Sequence, residues 1–221
     1  MLLLGLDAAL ARCSAAVVAD GLLLAERQAP GGRGHGAVLP PLVAEVLAEA
    51  GYDATALDGV AVTVGPGSFT GLRAAIALAQ GIALAAGCPV LGVTVAEALA
   101  AALPAPDGWT LWVAIDSRRG RVFLDRAGSL LSMALDALPP AGGRVAVAGD
   151  AAIEVAARLA ARGDMVMLTD ARLPLARHVA AVGKRRLRGK IPPLPALPLY
   201  IDPPEARLPE GGLRPPPGRM A

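Results

Sequence analysis

The residues with the most chemical potential in this chain form one stretch, Gly65-Pro66-Gly67-Ser68-Phe69-Thr70-Gly71-Leu72-Arg73, which joins an apolar run to a helical one. Glycine at 65, 67 and 71 permits a backbone path that side chains would block. The amides at the start of the following helix, with Ser68, Thr70 and Arg73 beside them, could cradle an anion. The spacing fits neither common nucleotide template, because no lysine follows the last glycine and GxGxxG is absent. Two readings stay open, an anion site and a tight structural turn.

Asp7 and Asp116 each end an apolar strand, where an α/β protein places ligand-facing groups and where a carboxylate could hold magnesium. Aspartate is also a common turn former at that place. His35 and His178 form no HxxxH or HExxH pair, so no metal site is expected, and His35 reads as a loop residue. Ser68 has no GxSxG elbow around it. The basic run from Lys184 to Lys190 could touch phosphates but reads better as a solvated helix end. A kinase-like second phosphate loop would have to use Gly142-Gly143 or Gly149-Asp150, both poor candidates.

The rest of the composition narrows the choices. With 221 residues, 54% of them hydrophobic and 3% aromatic, the chain can bury a sizeable core built from small side chains. A formal net charge of +2 from 21 basic and 19 acidic residues argues against a field strong enough to hold a nucleic-acid backbone unaided. Cys13 and Cys88 form no CxxC pair, which fits a reducing, cytoplasmic setting, and an aspartate at position 7 comes too early for a signal peptide. Residues 74–96 carry no charge, yet Gly87-Cys88-Pro89 divides them into a helix and a strand.

The elements expected to position these groups alternate as in an α/β fold. Strands are predicted at Leu2–Asp7, Ala15–Ala19 and Leu22–Glu26, with Asp20-Gly21 as a hairpin turn. A helix over Val38–Ala50 stops at Gly51, and a strand over Val60–Val64 leads into a helix over Thr70–Ala86. A strand at Pro89–Val93 follows, and Thr94 and Glu97 have capping-box spacing. Leu111–Asp116 and Arg121–Asp125 repeat the opening pattern, which suggests an internal duplication. Further strands are predicted at Arg144–Ala148 and Met165–Leu168, around a helix from about Ala151 to Arg162. This yields a first α/β half over 1–103, a reduced second half over 104–190, and a proline-rich arm or tail over 191–221 that holds ten of the twenty prolines.

The 70–86 helix is apolar on nearly every side, so it should be covered all round. Ile76 and Leu84 are expected on the sheet. Ala75, Ala79, Gln80 and Ile82, with Leu42 and Val46 of the preceding helix, are then expected to meet a partner protein.

The GPGSFTGLR stretch after an apolar strand closely resembles the TsaB family of tRNA threonylcarbamoyladenosine biosynthesis. His35 with Leu39-Pro40-Pro41, Ile115-Asp116-Ser117-Arg118-Arg119-Gly120 and Pro198-Leu199-Tyr200 are similar to further family segments. Ala8 stands where the family has a hydroxyl residue and Arg121 where it has a glutamate. The resemblance implies an actin-like, ribonuclease-H-like fold of two related halves (ASKHA). It implies a non-catalytic subunit that supports a TsaD-type transferase, with a TsaE-type ATPase in the complex and indirect contact with tRNA; a free binding protein that forms a homodimer when alone is a third reading. No cofactor is expected, with ATP or ADP only at a junction with partner subunits, and Asp7, Asp116 and Arg118 would be a vestigial ligand site. The alternative is an ATP-dependent phosphotransferase or ATPase of the same superfold.

Overall fold

The computed structural model describes residues 1–30, 34–103 and 108–201. The first half runs β1 (Leu2–Asp7), β2 (Arg12–Ala19), β3 (Leu22–Pro30), α1 (His35–Ala50), β4 (Gly59–Gly65), α2 (Phe69–Ala86), β5 (Val90–Thr94) and α3 (Val95–Ala100). The second runs β6 (Trp109–Asp116), β7 (Val122–Arg126), β8 (Ser129–Met133), β9 (Arg144–Ala148), α4 (Ala152–Ala161), β10 (Val166–Leu168) and α5 (Ala176–Leu187).

The duplication is explicit in the sheets. One has the order β3-β2-β1-β4-β5 and the other, read from its far edge, β8-β7-β6-β9-β10. In both, the first three strands are antiparallel neighbours and the last two join in parallel. This is the actin-like α/β arrangement, with the second copy reduced. Every residue of β1 and of β4 is buried, as expected of central strands covered on both faces. Leu2, Leu4 and Leu6 face α1 and α2, while Leu3 lies in a cluster with Ala180 of α5. In the second sheet Trp112 and Ala114 pack toward α4, and Val113 and Ile115 join Leu72, Val95 and Leu99 of the first half. That mixed cluster fuses the two halves.

The local signals behave as their chemistry requires. Asp20 and Gly21 both take positive φ, as a two-residue hairpin turn demands. Thr94 Oγ1 accepts from Glu97 N at 3.0 Å and Glu97 Oε2 accepts from Thr94 N at 2.8 Å, completing the capping box. Helix α1 begins at His35, three residues before the apolar periodicity becomes visible, so His35 is a buried helical residue and not a loop residue.

Two elements were hidden in the sequence. Strand β8 is short and half exposed. Helix α5 has its apolar face masked by the basic run, yet Ala176, Val179, Ala180 and Val182 are buried. It packs on β1, β4, β2 and β5 of the first sheet, so residues 104–190 do not pack as one unit. A Cβ at Gly5 would lie 2.1 Å from the Ala176 carbonyl oxygen, and glycine is what lets the helix approach so closely. Arg186, expected in solvent, turns inward, with a side chain 6% exposed that pairs with Glu97 at 2.5 Å.

Residues 191–201 of the expected arm form a packed strap. Leu194 O accepts from Gly92 N at 3.0 Å, and Leu199 N donates to Val64 O at 2.8 Å. Leu194 and Ala196 also pack on the first core. The remainder of the arm, 202–221, and the first residues of the expected second half, 104–107, lie outside the described residues.

The orientation of α2 corrects the expected partner face. Ala75, Ala79 and Val46 are fully buried in this chain's own core, with Leu42 and Ile82 half-buried. The exposed row is Ala77, Gln80, Gly81, Leu84 and Ala85, and Leu84 is 85% exposed instead of lying on the sheet. The error is one of phase: a helix with apolar residues all round carries no moment to orient it. Although α2 is long and apolar enough to cross a membrane, it is closed on one side by β4 and α1. Ala79→Glu should therefore destabilise the isolated chain by roughly 3 kcal/mol or more, as an unpaired buried charge does. Urea denaturation measures this, and an unchanged midpoint would place Ala79 elsewhere.

Candidate functional site

Between the halves lies a cleft of about 1140 Å3. One wall comes from the β1–β2 turn (Ala9, Leu10, Ala11) and from Pro66 to Arg73, the other from Asp116 to Arg119 and Phe123, and the strap closes the rim with Pro198 to Ile201. Three segments singled out in the sequence, the glycine loop, the Asp116-Ser117-Arg118-Arg119 segment and the Pro198-Leu199-Tyr200 segment, thus meet in one place.

The loop sits on backbone. Ser68 N donates to Ala9 O at 2.6 Å. A Cβ at Gly67 would lie 2.2 Å from Ala9 O, and one at Gly71 would lie 2.2 Å from Ala8 O. Ser68 caps α2 by accepting from Gly71 N at 3.2 Å, so its hydroxyl is engaged by its own helix. Gly65, with φ of 121°, turns the chain out of β4. Thr70 and Arg73 are exposed at the mouth.

Arg73 is held by aromatic groups. Its guanidinium stands 3.4 Å from the Phe69 ring centroid and donates to Tyr200 Oη at 2.5 Å, with the two rings 6.5 Å apart. The sequence marked Arg73 and Tyr200 separately, and only the strap's route joins them.

Across the cleft, Asp116 Oδ1 accepts from Arg118 N at 2.8 Å and Asp116 N donates to Asp150 Oδ1 at 2.9 Å. The Arg118 guanidinium lies 3.4 Å from both Asp116 Oδ2 and Asp150 Oδ2. A cation at Asp116 would have to displace this arginine. Asp150, whose neighbour Gly149 had suggested a weak phosphate loop, instead braces the Asp116 backbone, and burial pushes its carboxyl above the usual range.

Asp7 does not join this group. Its side chain is buried beneath the loop and does not line the cleft. Oδ1 accepts from Thr63 Oγ1 at 2.7 Å and from Ala9 N at 3.2 Å, while Oδ2 has no partner. Desolvation pushes its pKa up to about 6, against the opposing pull of Thr63, Ala9, Arg12 and His35. Among the described residues no group of three or more His, Cys, Asp or Glu is placed to hold a metal ion.

Two expectations follow. Gly67→Val should lower stability by about 1–3 kcal/mol, because its side chain meets the Ala9 carbonyl and the backbone must shift; denaturant unfolding reads this, and a variant that keeps full stability but loses anion binding would make the loop a ligand site. Asp7 binds a proton more tightly folded than unfolded, so its contribution is fully present below about pH 4 and is lost as the pH rises toward 6. Asp7→Asn, which keeps the acceptor for Thr63, should then gain on the order of 3 kcal/mol relative to the native chain between pH 4 and pH 8. A stability difference that stays constant across that range would contradict the assignment.

The family model described as "TsaD: tRNA N6-adenosine threonylcarbamoyltransferase" matches residues 26–178. The tRNA threonylcarbamoyladenosine biosynthesis protein TsaB of Escherichia coli is 37% identical over 125 residues, covering 56% of this chain and 53% of that protein. Its namesake in Haemophilus influenzae is 33% identical over 130 residues, covering 56% and 52%. The chain thus spans about half the length of these curated relatives. The solved structure of YeaZ from Pseudomonas aeruginosa superposes with a TM-score of 0.74 at 30% identity, covering 90% of this chain and 99% of that one. The chain accordingly belongs to the family that the TsaD model describes and, within it, to the TsaB or YeaZ branch.

Proposed function

We propose that the chain is a non-catalytic subunit of the machinery that makes threonylcarbamoyladenosine in tRNA, supporting a TsaD-type transferase. The observation that carries this reading is the outer face of α2. Residues 74–96 are uncharged, and Ala77, Gly81, Leu84 and Ala85 form an exposed row of small or apolar residues beside the exposed Ala37, Pro40, Ala44 and Ala48 of α1. Small side chains let a partner's helices come close, and an apolar face left in water favours covering by protein. Leu84 is the natural anchor. A TsaE-type ATPase would join through the transferase, any ATP or ADP would sit at a subunit junction, and tRNA would be reached through the partner. The same face would pair two copies when the chain is alone.

A second reading, an ATPase or phosphotransferase, is favoured by the cleft itself, which brings Asp116 and the start of α2 to one space. Against it, Arg118 occupies the carboxylates and Asp7 lies buried outside the cleft.

Leu84→Glu should keep the unfolding free energy within about 0.5 kcal/mol, because its side chain is in solvent. It should abolish co-elution with a TsaD-type protein and tRNA modification in a reconstituted mixture. Undiminished complex formation would remove α2 from the interface. ATP turnover by the pure native chain, lost in Asp116→Asn, would replace the subunit reading with the enzymatic one.

A further inference from the structure

The exposed row on α2 does not stop at Ala77. Residues 69, 73, 77, 80, 81, 84 and 85 are all exposed, and their three- and four-residue spacing is that of one helix face, so Phe69 and Arg73 share a stripe with Leu84. The strap lies along this stripe. Gln80 Nε2 donates to Ala196 O at 3.4 Å and Arg73 donates to Tyr200 Oη, which sets the exposed Leu197 and Tyr200 beside α2. The stripe therefore leads from Leu84 to the mouth of the cleft, where Phe69, Arg73 and Tyr200 are lining residues.

Composition changes along the stripe. Beyond Arg73 it is alanine and glycine apart from Gln80 and Leu84, and α1 beside it presents Ala37, Pro40, Ala44 and Ala48. Such side chains permit close approach but bury little area, whereas a stable interface engages about 20–30 residues a side and concentrates its energy in aromatic and arginine side chains. The cleft end supplies these. Aromatic residues are 3% of the chain, yet both phenylalanines and one of the two tyrosines line this cleft, with Phe69 61% and Tyr200 58% exposed at its mouth. The Arg73 guanidinium lies over the Phe69 ring and is hydrogen-bonded to Tyr200, so the three are held in one arrangement before a partner arrives. Past the opposite end of α1, Tyr52 is also exposed.

We propose that Phe69, Arg73, Leu197 and Tyr200 are the anchoring end of the protein interface, and that the transferase bound along α2 reaches over the cleft mouth and forms its outer wall. This surface extends the α2 interface proposed above and rests on that reading. The partner's matching surface is apolar opposite Phe69 and Leu197. Opposite Arg73 it carries a carboxylate or carbonyl oxygen, because the N–H groups that Tyr200 does not engage would otherwise be buried without an acceptor.

The test is calorimetric titration of the full chain with a purified TsaD-type protein. Phe69→Ala, Arg73→Glu and Tyr200→Ala should each weaken binding about tenfold or more, while Tyr52→Ala leaves it unchanged. All three mouth side chains are exposed, so the urea midpoints should match that of the native chain. Ala11→Cys in a Cys88→Ser background puts a thiol on the cleft wall outside α2, with Cys13 buried, and its reaction with a maleimide should slow when the transferase is added. If Leu84→Glu abolishes binding and the three mouth variants do not weaken it, the α2 interface stands and the mouth is not part of it. A thiol that stays equally reactive, or binding weakened by Tyr52→Ala in place of the mouth variants, would overturn the proposal too. Mouth variants that lose only self-association would give this surface to a second copy of the chain and overturn it. A native chain that does not bind the transferase removes both the α2 reading and its extension.

Discussion

The contact on which the rest of this structure depends is backbone against backbone: the turn from Gly67 to Gly71 rests on the carbonyls of Ala8 and Ala9. No side chain fits between them. This contact sets where β4 ends relative to β1 and where α2 begins. The entrance wall of the cleft follows, because Ala9 to Ala11 and Pro66 to Arg73 form one surface. The buried Asp7 belongs to the same unit, tying the end of β1 to Thr63 of β4 and to the Ala9 amide directly beneath the loop.

From that fixed corner the two halves are assembled with small residues. Leu72, Val95 and Leu99 from one half and Val113, Ile115 and Ala148 from the other form a shared apolar layer. The second half has α4 as the helix packed on its own sheet, and it gives its last helix, α5, to the first sheet. Its own outer face is thereby thinner, while the first sheet is covered on both sides. The strap then returns across β5 and the end of β4 to bring Tyr200 to Arg73 and Phe69 at the cleft rim.

The chemistry divides along the same lines. Groups that sequence placed in one hypothetical ligand site are separated by burial: Asp116 and Arg118 face the cleft, Asp7 does not. A carboxylate bridged by arginine is a structural device as much as a catalytic one, since neutralised charge needs no ligand. The outer faces of α1 and α2 leave a row of small apolar side chains, with Leu84 among them, in water.

What the sequence by itself determined were features that depend on neighbours within a few residues. Asp20-Gly21, the Thr94–Glu97 capping box, the helix stops at Gly51 and Gly87, and the alternation that marks the duplicated strands are all readable because turn and cap chemistry is local. The GPGSFTGLR stretch was legible for the same reason, down to its glycines. Tertiary structure alone decided the rest. The phase of α2 was invisible because apolar residues surround the helix, so packing against β4 and α1 chose Ala75 and Ala79 for the inside and Leu84 for the outside. The face of α5 was hidden by its basic residues, and the pairing of Arg73 with Tyr200, 127 residues apart in the chain, depends on the route of the strap. Arg12 and Arg172 meet at one cavity because two sheets, each folded locally, dock through a crossover that no short-range pattern encodes.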